Sequence, residues 1–250
     1  MLETKRDAIR NRLIKMYKAA NAGHVGSALS SLEIMVFIRF ALLQPDDKFI
    51  LSKGHAAALL YSALAEEGLI TPEEIASFYA NNTCLPAHPP VNKFAAIPFA
   101  TGSLGHGLSL SAGFALAAKL KKQHHRIFCI TSDGEINEGS TWEAALFIAH
   151  HQLKNITWFI DRNYLQGFGY TEDVLALEPL DKKLESFGFQ VAKADGHDFD
   201  SLRNAMASYT GDKPLVIICN TLKGRNMSLE NTVASHYLPL TEEDYYKLIQ

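Results

Sequence analysis

Residues 126–167 read RIFCITSDGEINEGSTWEAALFIAHHQLKNITWFIDRNYLQG. Two short apolar runs, RIFCITS (126–132) and NITWFID (155–161), flank a segment of helical apolar spacing at 140–151. A buried strand, a crossover helix and a second buried strand are the unit of a parallel sheet. Each run ends in a polar loop: Ser132-Asp133-Gly134-Glu135 after the first, Asp161-Arg162-Asn163-Tyr164-Leu165 after the second. Parallel strands joined by one helix set these loops side by side, at the sheet edge where such folds bind ligands. Asp133 and Asn163 are 30 residues apart. The Asp133 carboxylate, the Asn163 amide oxygen and one backbone carbonyl are hard oxygen donors, suited to Mg²⁺ or Ca²⁺ beside phosphate oxygens. Gly134 lets a backbone N–H approach a phosphate closely. Taken singly, Asp133-Gly134 is a turn and Asn163 a helix cap; at matching strand ends they argue for a shared site.

The same alternation runs outward. Helical spacing occurs at 5–20, 30–43, 56–67, 108–123 and 199–208, and short extended runs at FILS (49–52), FQVAKA (189–194) and LVIICNT (215–221). Thr71-Pro72-Glu73-Glu74 is a helix start, with Thr as cap, Pro at the first position and Glu at the third. Strands alternating with helices predict an α/β fold, a parallel β-sheet with helices on both faces. The Pro-rich stretch LPAHPPVNKFAAIPF (85–99) predicts a surface loop. The loop Gly102-Ser103-Leu104-Gly105-His106-Gly107 opens a helix, but no strand with GxGxxG precedes it and no acidic partner follows, so it is not a dinucleotide fingerprint.

A chain of 250 residues, 47% of them hydrophobic, holds one sizeable core, and a single domain over 1–250 is expected. No apolar stretch reaches the roughly 18 residues of a membrane span. The start, MLETKRDAIRNRL, lacks the apolar run of a signal peptide, so a cytoplasmic protein is expected. Net charge of −3 gives no general attraction to nucleic acid or anionic membrane. Cys84, Cys129 and Cys219 form no CxxC pair and read as reduced thiols, the last two as core residues.

The segment SDGEINEGSTWEAALFIAHHQLKNITWFIDRN resembles the thiamine diphosphate signature, GDG followed some thirty residues later by Asn, with Ser132 in place of the first glycine. Glu138-Gly139 and Trp142-Glu143-Ala144 make it similar to the transketolase family in particular. AGHVGSALSSLEI (22–34), FILSKGHAAALLYSAL (49–64), AHPP (87–90), ATGSLGHGLSLSAGFALAAKL (100–120) and NTLKGRN (220–226) with SLENTVASHYLPL (228–240) resemble further family segments in the same order. The resemblance implies the thiamin diphosphate-binding fold of the type that holds the diphosphate (PP-type domain). It implies Asp133, Asn163 and the Leu165 carbonyl as ligands of Mg²⁺ or Ca²⁺. Lys53, His55, Gly102, Leu104, Gly134, Glu135, Lys223 and His236 are the other cofactor-binding residues that it implies. His24 and His88 would bind the donor's C1 hydroxyl and help proton transfer, and His55 and His236 complete the catalytic set, since histidine donates hydrogen bonds and shuttles protons near neutral pH. Glu138 would lie at an interface between subunits; a solvated helix-start carboxylate is the plainer reading. His124, His125, His150, His151 and His197 read as surface or packed histidines, and His106 is ambiguous.

A transketolase needs a second half that carries a glutamate for the aminopyrimidine ring, an aromatic pocket and arginines for sugar phosphate. A chain with its own Met that ends at Gln250 fits a split enzyme, with a piece of a longer protein as the alternative. The expected partner is a C-terminal subunit carrying the pyrimidine-binding domain, in a heterotetramer of two copies of each chain. The implied reaction transfers a two-carbon ketol unit from a ketose, phosphorylated or otherwise anionic, to an aldose. The alternatives are a 1-deoxyxylulose 5-phosphate synthase-like or 2-oxoacid reaction, or a non-catalytic cofactor-binding subunit.

Overall fold

The computed structural model describes residues 1–91 and 93–249. Helices α1 (Leu2–Ala20), α2 (Val25–Ser30) and α3 (Leu32–Phe37) come first, α3 running into a π-turn at Ile38–Leu42. Strand β1 (Lys48–Leu51), α4 (Ala57–Glu66), α5 (Pro72–Ala76) and α6 (Gly107–Leu120) follow. Next are β2 (Ile127–Ser132), α7 (Gly139–His150), β3 (Ile156–Arg162), the small strands β4 (Leu165–Gln166) and β5 (Gly169–Tyr170), and α8 (Thr171–Val174). The chain closes with α9 (Leu180–Phe187), β6 (Gln190–Asp195), α10 (Phe199–Ala207), β7 (Leu215–Asn220), α11 (Ala234–Tyr237) and α12 (Glu242–Leu248).

Five parallel strands pair in the order β1-β2-β3-β7-β6. Side chains of a strand alternate between faces, and here both faces are apolar. Phe128, Ile130, Phe159, Ile217 and Cys219 join a core with α1, α3, α4 and α10. Their neighbours Ile127, Cys129, Trp158, Ile160, Val216 and Ile218 join a second core with α6, α7 and α9. Every residue of β2 and β3 is buried, which is why both read as unbroken apolar runs. Trp158 Nε1 donates to Thr131 Oγ1 at 2.8 Å, so the one polar atom of that ring is satisfied inside the core. No helix among the described residues is long and apolar enough to cross a membrane.

The expected helix at 30–43 is divided. Ser30 and Ser31 turn their hydroxyls back to the Ser27 carbonyl at 3.1 Å each, and the backbone breaks between α2 and α3. Serine hydroxyls compete with the helical ladder in this way. Thr71 caps α5 as expected, in a capping box closed by Glu74. The stretch 85–99 is irregular throughout the part described, Asn92 lying outside the described residues.

Parallel pairing brings the loops after β1, β2, β3 and β7 to one edge, and a buried ion pair binds them. The Lys53 ammonium, just after β1, pairs with the Asp161 carboxylate in β3, and both side chains are fully buried. Lys53 Nζ also donates to the Ser27 carbonyl of α2 at 2.8 Å. Asp161 accepts from Ser30 Oγ at 2.6 Å and from Thr221 Oγ1, just beyond β7. Burial opposes the Asp161 charge, but the Lys53 ammonium and the hydroxyl donors outweigh it and hold the carboxyl below its usual range. Removing one partner of such a pair strands the other charge. Asp161→Ala should therefore cost about 3–5 kcal/mol of unfolding free energy in urea titration; a loss under about 1 kcal/mol would show that the pair is not the knot described.

Candidate functional site

A cavity of about 290 Å³ opens where these loops meet. His24, Lys53, His55 and His88 line it from the first half of the chain, with Gly102 and Leu104 from the glycine loop. Gly134, Asn163 and Leu165 come from the loops after β2 and β3, and Lys223 and His236 from the C-terminal segment. Residues spread over more than 200 positions therefore share one concavity. A larger groove of about 870 Å³ lies at the opposite sheet edge, around Asp46, Lys48, Lys121 and Arg126. It is the weaker candidate, because strand amino ends supply none of the convergent loops on which ligands of parallel sheets are held.

The histidines form a compact cluster. Ring centroids of His24 and His236 are 4.8 Å apart, and His55 stands 5.4 Å from each. His24 adopts a left-handed backbone, φ 69°, unusual for a residue with a Cβ. Its N–H donates to the His236 carbonyl at 3.1 Å, so the two segments lock each other. Burial pushes all three imidazoles below their ordinary value. Next in weight are His88 for His24, Lys53 for His55, and Lys223 for His236, which falls to about 3. Lys223 is itself lowered to about 8, mainly by burial and then by Lys53. His88 enters from the Pro-rich loop against Gly102, where an added Cβ would stand 2.7 Å from the His88 ring. Only glycine fits that approach, at φ 144°.

The loops after β2 and β3 lie side by side. Ser132 pairs in register with Asp161, and Asp133 N–H donates to the Asp161 carbonyl at 3.1 Å. Asp133 is fully buried; its Oδ2 accepts from Tyr164 N–H at 2.6 Å and from Arg162 Nη1 at 3.1 Å. Burial raises the Asp133 carboxyl to about 6, against the pull of Arg162. Asn163 Oδ1 accepts from Leu165 N–H at 3.1 Å, and the Leu165 carbonyl accepts from Lys223 Nζ at 3.2 Å. One carboxylate, one amide oxygen and one carbonyl are thus neighbours, a donor set of the chemistry that suits a hard divalent ion. No cluster of three or more His, Cys, Asp or Glu side chains arranged for a metal occurs among the described residues, so a metal here would rely on this mixed oxygen set. Four buried polar atoms of cavity-lining residues have no protein hydrogen-bond partner: His24 Nδ1, Ser27 Oγ, Gln166 Nε2 and His236 Nδ1. Buried polar atoms are normally paired, and a polar ligand in this cavity would pair them.

Two expected residues act differently from the expectation. Glu135 does not line the cavity. Its buried carboxylate accepts from Ser52 Oγ, from Gly105 N–H at 2.8 Å and from Ser132 N–H at 3.3 Å, which makes it a brace between β1, the glycine loop and β2. Lys53 does line the cavity, but its charge is answered by Asp161. His106 is exposed and its Nδ1 meets the Ser103 carbonyl at 3.2 Å, within its own turn. Sequence reasoning missed Arg162, which holds Asp133, Thr171, Glu172 and Glu178 together. It also missed Gln166, whose Cβ lies 2.7 Å from where a Gly134 side chain would start. Both sit in stretches already quoted, but only the β4–β5 hairpin turns Gln166 back onto Gly134.

Residues 3–250 match the family described as transketolase, thiamine diphosphate binding domain. One of the two chains named for the apulose-4-phosphate transketolase of Actinobacillus succinogenes is 39% identical over 91% of this chain and 86% of its own length. A 6-deoxy-6-sulfo-D-fructose transketolase subunit of a Clostridium species is 36% identical over 97% of this chain and 92% of its own. The crystal structure of transketolase from Campylobacter jejuni superposes with a TM-score of 0.93 at 30% identity, covering 99% of this chain. This chain spans only 42% of that solved protein.

The lowered histidines predict a pH dependence. A group whose folded pKa is depressed contributes stability that is present above its unfolded value, about 6.5, and is lost as pH falls toward the folded value. The urea midpoint should therefore fall between pH 7 and pH 5, and His236→Asn should flatten the fall. Asp133 acts with the opposite sign in this window, because its carboxyl is raised to about 6; comparing variant with wild type cancels it. Identical slopes in the two proteins would refute the histidine assignment.

Proposed function

The chain belongs to the transketolase family, as its thiamine diphosphate-binding domain, and on that premise we propose that it is the diphosphate-holding subunit of a two-chain transketolase. The observation that carries the reading is the convergence of His24, His55, His236 and Lys223 on one cavity floored by the Asp133, Asn163 and Leu165 oxygens. In this reading the whole chain is a single domain. The oxygen set fits a divalent ion, and Asp133, Asn163 and the Leu165 carbonyl would hold Mg²⁺, or Ca²⁺ in its place. When bound, thiamine diphosphate supplies the carbanion chemistry that breaks and remakes a carbon–carbon bond.

The chain's own residues supply binding and proton movement. Lys223 and the backbone N–H of Gly134 face the diphosphate end. Leu104 and Gly102 support the cofactor body, and His88 and His24 meet the hydroxyl end of a ketose. Imidazoles held below their ordinary pKa are neutral at pH 7, so each can accept a proton from a donor hydroxyl and return it. The work divides into anion binding at one end and proton transfer at the other.

The reaction is the transfer of a two-carbon ketol unit from an anionic ketose to an aldose. Two relatives are named for an apulose phosphate and a sulfo-sugar, which supports an anionic substrate here. Their designation as subunits supports a partner that carries the pyrimidine-binding domain, in an assembly of two copies of each chain. Phe168, Tyr237 and Leu238 are 87%, 53% and 48% exposed, and the first two line the cavity, an apolar rim that a partner would cover. Three unpaired cysteines fit a cytoplasmic setting.

Two substitutions test the assignment once the chain is combined with its partner, thiamine diphosphate and Mg²⁺. Asp133→Ala removes a charged metal ligand, and calorimetry should show cofactor affinity lowered by about a hundredfold, the upper end of losses from weaker, outer contacts. Unchanged affinity would end the metal assignment. His88→Ala should leave cofactor affinity intact and slow turnover of a ketose donor by about 10²-fold. A rate equal to wild type would remove His88 from proton transfer, and turnover of a 2-oxoacid without any ketose turnover would replace the transketolase reading.

A further inference from the structure

Lys223 reaches the cavity from a short loop beyond β7, and the loop's own supports lie outside the cavity. Thr221 N–H donates to the Arg162 carbonyl at 3.0 Å, and Gly224 N–H to the Gly26 carbonyl at 3.0 Å. Between them, Leu222 N–H donates to His197 Nε2 at 2.9 Å. A backbone N–H can only donate, so Nε2 is an acceptor and the ring proton resides on Nδ1. Nδ1 faces Glu33 Oε2 of α3 at 3.0 Å, and both side chains are 7% exposed. The other oxygen of Glu33 faces Arg225 Nη1 at 3.8 Å. One buried carboxylate therefore grips both flanks of the Leu222–Arg225 segment, through His197 at one end and directly at the other.

We infer that Glu33 and His197 form a positioning clamp that sets the Leu222–Arg225 segment and so aims the Lys223 side chain into the cavity. His197 touches no cavity atom; it acts through Leu222. The carboxylate fixes the tautomer that leaves Nε2 free to accept, as second partners of functional histidines do. Glu33 and His197 are separated by 164 positions, so the clamp also ties α3 to the β6–α10 turn at the height of the cavity. The inference rests on the reading of the cavity as a diphosphate site.

The test uses the intact ¹⁵N-labelled chain and magnesium pyrophosphate as probe. Long-range ¹H–¹⁵N correlation should report His197 protonated at Nδ1. His197→Phe keeps the ring volume but removes the acceptor; it should accelerate exchange of the Leu222 and Lys223 amide hydrogens and weaken pyrophosphate binding about tenfold, the scale seen when an outer partner is lost. Glu33→Gln keeps an oxygen for Nδ1–H and should stay near wild type in both readouts, whereas Glu33→Ala should follow His197→Phe. A wild-type ring protonated at Nε2 overturns the clamp. So does a His197→Phe protein that melts lower but exchanges and binds as wild type does, since that is packing alone. If His197→Phe does not fold, the wild-type tautomer and the contrast between Glu33→Gln and Glu33→Ala decide. If wild type binds no pyrophosphate, the diphosphate reading fails, while the tautomer and exchange rates still judge the clamp.

Discussion

The buried Lys53–Asp161 ion pair is the constraint on which the rest of the molecule depends. Two charges with no exposed surface are costly unless each is fully answered. Here Asp161 receives Lys53, Ser30 and Thr221, and Lys53 also donates to the Ser27 carbonyl. These partners come from α2, the end of β1, β3 and the loop beyond β7. The bond network that satisfies the pair is therefore the one that fixes the mutual positions of four cavity walls. A parallel sheet brings loops to one edge, but it does not hold them in register with one another; the ion pair does.

Around that knot the site is built in two layers. His24, His55, His236 and Lys223 face the cavity, where burial disfavours their charged forms. Behind them stand groups whose charges are already answered: Glu135 on the glycine loop and two strand ends, Arg162 on Asp133, Glu33 on His197. The inner layer is left with unpaired polar atoms and shifted pKa values, the usual condition of residues that await a ligand. The outer layer has little freedom, which is what keeps the inner one in place.

Much of this was legible in the sequence, for physical reasons that can be named. Strands β2, β3 and β7 are buried on both faces, so they appear as continuous apolar runs whose ends can be placed within a residue or two. Asp133 and Asn163 could be set side by side because a strand–helix–strand unit leaves few alternatives. The histidines at 24, 55, 88 and 236 came from resemblance, and the fold does gather them. What local pattern could not show were long-range partners. Asp161 reads as a strand end until Lys53, 108 positions earlier, is placed beside it. Glu135 looks like a ligand-facing carboxylate until Ser52 and Gly105 are found to use it. The helical spacing at 30–43 conceals the break at Ser31, because hydroxyls that bond back to a carbonyl leave the apolar periodicity intact.

The central claim is that the loops after β2, β3 and β7 grip the diphosphate of the cofactor through one divalent ion and one lysine. Backbone amide shifts of the labelled chain, titrated with thiamine diphosphate and Mg²⁺ in the presence of its partner, test it most directly. The account predicts saturable changes centred on Gly134, Tyr164 to Gly167 and Lys223, abolished when Mg²⁺ is withdrawn. Changes centred instead on the opposite groove around Lys121 and Arg126, or indifferent to the metal, would contradict it.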